Sequence, residues 1–310
     1  MIFFLSGLFC VGSHAQNISG LVLDKETNEP IPYASVYLAS FKNGIYASES
    51  GRFRLNYDSP NDTVIFSAIG YVSYKDKIAN LKSNRNIIYL DPNTIELDEV
   101  VVTPAKKKKK TMRIGAHNSR QKQWWGSAAG MKTDGSFSFN VEHYLFIDGI
   151  NIPVRIKKII VGCSKKEERL EAVFRVRLYT KNKETDEPDQ LVNKKDIVKS
   201  FTRIKSKKIT FDVETENLIL PPEGLFVSAE HIGYNLNELV DDSLLNKYNI
   251  LNVKNANSEI SWLRVKSKNG AIAGTKLQGK YYLPIKGNEI YYQMEKQKYN
   301  IFIQLEVEEL

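Results

Sequence analysis

The chain has 310 residues, of which 42% are hydrophobic, 26% charged and 11% aromatic, which excludes a disordered or low-complexity chain and leaves room for two ordinary domains. Tyr (16) and Phe (14) far outnumber Met (4), a balance that favours strands. The formal charge of +8 is uneven: residues 16–104 hold 8 basic against 11 acidic side chains, −3, and residues 105–310 hold 36 against 25, +11.

Ile2 to Gly12 is an apolar run, and Ser13-His14-Ala15 places small residues at −3 and −1 of a cleavage site after Ala15. Residues 1–15 are thus expected to be a signal peptide, although no Lys or Arg precedes the run. The run is shorter than the roughly 20 residues a membrane span needs. Cys10 follows Phe9 rather than a small residue, so no lipid anchor is expected. Export places the protein in the periplasm or at the outer membrane and cell surface. Cys163 is left without an intrachain partner once Cys10 departs. It closes the run Ile159 to Cys163 on the same strand face as Ile159 and Val161, which predicts a buried structural thiol.

From Ile18 to Leu90 short strands alternate with turns. Ser19 to Leu23 is strand-like, Asp24 to Pro30 is a polar turn, and Ala34, Val36 and Leu38 share one face against Ser35 and Tyr37. Asn43-Gly44 marks a hairpin. Then follow Gly51 to Leu55, Val64 to Phe66, Gly70-Tyr71 and Ile87 to Leu90. Six or seven strands without a helical period predict a small sandwich.

The ordered set Ile18 to Asp24, Pro30 to Val36, Ser50 to Leu55 and Ser67 to Tyr71 resembles the carboxypeptidase regulatory-like domain, over roughly residues 17–90. That resemblance implies a seven-stranded transthyretin-like sandwich, of the kind found ahead of other modules in Gram-negative envelope proteins. The zinc carboxypeptidases that can carry such domains use a His-x-x-Glu pair, and none of His14, His117, His143 and His231 begins one. Asp98, Glu99, Val100, Val101 and Val102 resemble the segment that, in TonB-dependent receptors, pairs as a strand with an energy-coupling protein. A β-branched run before Pro104 has that physical capacity. A receptor barrel, however, needs at least about 220 residues for its strands, more than remain here.

Lys106–Lys110 repel one another and predict an extended linker, with peripheral contact to an anionic membrane, about 1 kcal/mol per lysine, as its functional reading. No nucleic-acid recognition motif accompanies it, and no nucleic-acid partner is expected.

Beyond Phe137 the strand pattern returns. Phe174, Val176 and Leu178 point inward from one strand, Ile209 to Val213 and Ile301 to Val307 alternate likewise, and Val154 to Cys163 and Leu225 to Ala229 read as central strands. Eight to ten strands predict a jelly-roll-like sandwich with one solvated face, plus a short helix around Asn237 to Tyr248. Arg175 and Arg177 on one face, and Lys157 in another strand, suit water better than the lipid face of a membrane barrel, and Glu308-Glu309-Leu310 supplies no terminal aromatic. The fold class is therefore all-β, organised as residues 1–15 signal, 16–95 first sandwich, 96–111 partner segment and linker, and 112–310 second sandwich.

No catalytic motif, metal spacing or cofactor signature is found, and the acidic loop Glu184 to Asp189 lacks the glycine alternation of a calcium loop. The better lead is aromatic: Trp124, Trp125, Trp262 and Tyr282 lie among polar residues and turns, where rings could stack on sugar faces. The expectation is a non-catalytic envelope binding or adaptor protein, its partner another envelope protein or a glycan. The alternative is a glycan-active hydrolase with its carboxylates in the second sandwich.

Overall fold

The computed structural model describes residues 16–40, 44–93, 110–116, 122–126, 141–163, 172–201, 206–234, 261–266, 272–277, 280–282, 295–296 and 299–310. The expected signal peptide at residues 1–15, the Asp98–Val102 segment, lysines 106–109 and the helix expected at Asn237 to Tyr248 lie outside them. Among the described residues no helix is long and apolar enough to cross a membrane.

The N-terminal part is built from β1 (Gln16–Asp24), β2 (Ser35–Leu38), β3 (Gly44–Tyr46), β4 (Arg52–Tyr57), β5 (Thr63–Ser67), β6 (Tyr74–Lys77) and β7 (Asn86–Leu90). Seven strands form two sheets, β4-β1-β7 and β3-β2-β5-β6. β1 runs antiparallel to β4 and parallel to β7. Alternation decides what is buried: Ala34, Val36 and Leu38 face Phe53, Leu55, Val64 and Phe66 in one core. The Phe53 and Phe66 rings meet edge-on, 5.2 Å apart. Gly51 sits at φ +71°, and a Cβ there would come within 2.6 Å of the Val22 carbonyl oxygen. Only glycine fits that turn without strain.

The C-terminal part contributes β8 (Thr111–Gly115), β9 (Lys122–Gly126), β10 (Val141–Ile147), β11 (Val154–Gly162), β12 (Ala172–Lys181), β13 (Pro188–Leu191), β14 (Ile197–Phe201) and β15 (Lys208–Asp212). After them come β16 (Ile219–Leu220), β17 (Leu225–Tyr234), β18 (Ser261–Lys266), β19 (Ile272–Leu277), β20 (Lys280–Tyr282), β21 (Glu295–Lys296), β22 (Tyr299–Ile301) and β23 (Ile303–Glu309). An eight-stranded sheet runs β13-β12-β17-β10-β19-β20, with β14 also on β12 and β21 on β19. A five-stranded sheet runs β15-β11-β23-β8 with β16 on β11, and a third runs β22-β18-β9. The two larger sheets enclose the main core, where Phe174, Val176 and Leu178 of β12 meet Ile156, Ile159 and Val161 of β11 and Leu305 of β23. β11 and β17 are interior strands, as their even apolarity suggests, and Cys163 is fully buried in this core beside Ile159 and Val161.

One expectation is overturned. The face of the large sheet that carries Arg175 and Arg177 is not solvated: the Arg175 side chain is 1% exposed and that of Arg177 13%. Tyr33 and Tyr46 of the N-terminal sandwich cover Arg175, and the charge of both arginines is met by carboxylates rather than by water.

Candidate functional site at the domain junction

Strand alternation builds the site. Odd positions of β17 and even positions of β12 point into the core, so the intervening residues crowd the other face. The register sets Arg175 opposite Glu230, Arg177 opposite Ser228 and Tyr179 opposite Phe226. On the next strand Tyr144 stands opposite Ser228 and Phe146 opposite Phe226. Glu142, two residues before Tyr144, joins them.

Glu142 is the hub. One carboxylate oxygen accepts from Arg177 at 2.5 Å. The other accepts from the hydroxyls of Tyr144 at 2.9 Å, Tyr179 at 3.0 Å and Ser228 at 2.8 Å. Four donors satisfy a carboxylate that is only 1% exposed, replacing the hydrogen bonds that water would otherwise give it. Burial by itself would lower the Arg177 pKa, but the charges around it, Glu142 first, outweigh that and hold it well above its ordinary value. Burial, then the charge of Glu142, pushes the Tyr179 phenol well up, so it stays a donor.

The N-terminal domain closes over Glu230 and Arg175. The Tyr46 hydroxyl at the end of β3 donates to the Glu230 carboxylate. The Tyr46 ring lies under the Arg175 guanidinium, 5.0 Å from its centroid. Arg175 donates at 2.7 Å to the carbonyl of Tyr33, a residue held at φ 55° in the turn before β2. A left-handed conformation is strained for an aromatic residue, and here it goes with a carbonyl turned onto the other domain. Asp196 pairs with Arg175 at 2.9 Å. A second contact lies alongside, where a Cβ on Gly70 would come within 3.3 Å of the Lys194 carbonyl oxygen. Burial, then the charge of Glu230, raises the Tyr46 pKa well above its ordinary value. Although part of Tyr46 remains accessible, its hydroxyl end is inside the cluster.

Sequence reasoning missed this cluster. The signal was present: Glu142 lies in Val141 to Ile147 and Glu230 in Leu225 to Ile232, each the single carboxylate of a mostly apolar strand. Such a carboxylate demands a buried partner, and the alternating arginines of β12 supply it.

The expected aromatic residues are partly brought together. Trp125 of β9 stands directly opposite Trp262 of β18, and Trp124 opposite Leu263. Tyr282 is elsewhere, on β20 opposite Thr275. Among the described residues no group of three or more His, Cys, Asp or Glu is placed to hold a metal ion.

Residues 18–102 match the CarboxypepD_reg-like domain family. No curated protein matches the chain. Among solved structures, a Bacteroides uniformis protein with a proposed role in carbohydrate binding is 14% identical, with 95% of this chain and 98% of that one covered and a TM-score of 0.22. A DUF3823 family protein from Parabacteroides merdae is 9% identical, with 93% and 98% covered and a TM-score of 0.19. The N-terminal part of the chain, residues 18–102, is a CarboxypepD_reg-like domain.

Proposed function

We propose that this chain is an exported, non-catalytic binding or adaptor protein of the cell envelope, in which the N-terminal domain is a docking module and the second sandwich makes the ligand or protein contact. In this reading the units are residues 16–95 and 112–310, joined by the 96–111 segment.

The observation that carries the binding reading is the register of the small sheet, which sets Trp125 and Trp262 opposite each other. Directly opposed positions share one face of a sheet, with Cβ atoms about 4.5–5.5 Å apart. An indole is the kind of flat apolar group that a sugar ring stacks on, so two tryptophan positions in register on one sheet support a glycan as the ligand class. The hydrolase alternative has a specific obstacle. Glu142 and Glu230 do converge, and a converging carboxylate pair is what a glycosidase needs. Here, however, both are buried and compensated by arginines, and Glu230 is capped by Tyr46 of the N-terminal domain.

The test is a glycan array and a peptidoglycan pulldown with the mature chain beside Trp125→Ala and Trp262→Ala variants. The reading expects binding by the parent and loss in either variant. Binding that survives both substitutions removes the tryptophan site, and no glycan binding by the parent leaves a protein partner as the ligand.

A further inference from the structure

We infer that docking of the N-terminal domain is linked to proton uptake: Glu230 takes a proton from solvent as Tyr33 and Tyr46 close over it, so the two domains hold together more tightly at mildly acidic than at alkaline pH.

The argument starts from charge. The groups facing Glu230 are Glu142 and Tyr144 from β10, Arg175, Arg177 and Tyr179 from β12, Asp196 from the turn before β14, and Tyr46 from the other domain. His143 and His231 alternate onto the opposite side of the sheet, where His231 packs on Phe174 at 5.0 Å. Three carboxylates thus share two guanidinium groups, leaving one negative charge in excess under the seal. The hydrogen bonds both arginines make go to other groups, Arg177 to Glu142 at 2.5 Å and Arg175 to Asp196 at 2.9 Å and the Tyr33 carbonyl at 2.7 Å, while Arg175 Nε and Nη1 and Arg177 Nε stay buried without a hydrogen-bond partner.

Asp196 and Glu230 each have one oxygen without a hydrogen-bond partner, and Glu230 is the more deeply buried of the two, 2% exposed against 20%. Its Oε1 accepts the Tyr46 hydroxyl, whereas Oε2 is buried without a hydrogen-bond partner, 3.6 Å from Arg175 and 3.7 Å from Arg177. Those separations give Coulomb attraction but no hydrogen bond. A buried carboxylate with one orphaned oxygen in a net-negative cluster is the group that binds a proton first. Burial, opposed by Arg177 and Arg175 and reinforced by Glu142, moves the Glu230 pKa upward. A group whose pKa is raised by docking favours the docked state below its ordinary pKa, and that favour is lost as pH rises through the raised value.

The test uses the full mature chain carrying donor and acceptor dyes on cysteines introduced at the exposed positions Glu49 and Gln190, since the buried Cys163 does not compete for label. Transfer efficiency is read from about pH 5 to about pH 9, beside the same chain with Glu230→Gln. The parent should lose efficiency as pH rises, while Glu230→Gln, which carries the proton's hydrogen permanently, should keep the acid value throughout. A Glu230→Gln profile that follows the parent overturns the inference, as does a parent profile that is flat. Because a variant can fail to fold, the native Glu230 carboxyl is also titrated by NMR in selectively labelled chain. An inflection above the ordinary carboxylate range supports the linkage; one within or below it refutes it.

Discussion

The hydroxyl of Tyr46 donates a hydrogen bond to the carboxylate of Glu230, 184 residues further along the chain. This one contact ties the CarboxypepD_reg-like domain to the central strands of the larger sheet. The phenol is an ideal residue for it, because its ring covers Arg175 while its tip reaches the carboxylate. Tyr46→Phe keeps the ring and removes the donor, leaving a buried carboxylate with one fewer partner. It should lower the stability of the full chain by about 1–3 kcal/mol, measured by urea unfolding.

Arg177 and Glu142 form the deeper pair. Arg177→Met leaves Glu142 ionised among neutral hydroxyls and should cost about 3–5 kcal/mol. Adding Glu142→Gln removes the stranded charge, so the double variant should be more stable than Arg177→Met alone. Urea midpoints of the three chains check this ordering; a double variant less stable than both singles contradicts it.

The backbone of the N-terminal domain was open to reading at residue level because its cues are local. Turn glycines, the alternation of Ala34 to Leu38 and the Phe53 and Phe66 positions each state their environment within a few residues. The inward face of β12 was equally plain in Phe174, Val176 and Leu178. Its other face was misjudged, since alternation says which residues share a side but not what covers that side. Arg175 looks like a solvated residue until Tyr33 and Tyr46, more than 120 residues away, are placed on it. The pairing of Trp125 with Trp262 was hidden for the same reason, because register between distant strands is a tertiary fact.

Gly51 offers a test of local backbone demand. Gly51→Ala places a methyl 2.6 Å from the Val22 carbonyl oxygen at a positive φ. The left-handed conformation alone should cost about 1–2 kcal/mol, read as a lower thermal midpoint of the N-terminal domain.

The alkaline limb of stability should follow Cys163. Burial pushes its thiol up from 9.0 to about 12. Burial, with the help of Asp24, likewise moves the Tyr71 phenol from 10.0 to about 12. In each case the unfolded chain gives up its proton first, so the contribution to stability is whole below pH 9 and declines as pH rises toward about 12. Native chain should accordingly resist thiol reagents at mildly alkaline pH and react fully once unfolded in denaturant, as followed by mass spectrometry.

Glu306 acts at the opposite end of the scale. Hydrogen bonds from Lys158 and Arg113 hold its carboxyl below the ordinary 4.5. Its contribution is present above that value and disappears as pH falls through the lowered pKa. Glu306→Gln should therefore flatten the acid limb of the stability profile without altering the alkaline one, as measured by unfolding across pH.

The central claim is that the two domains are clamped through the buried cluster, and the most direct test is a double-mutant cycle on its bridging contact. Stability is measured for the parent, Tyr46→Phe, Glu230→Gln and the pair. A real interdomain bond predicts a coupling of about 0.5–3 kcal/mol between the two substitutions. Effects that add to within about 0.3–0.5 kcal/mol would mean that Tyr46 and Glu230 do not interact in solution, and the clamp would have to be abandoned.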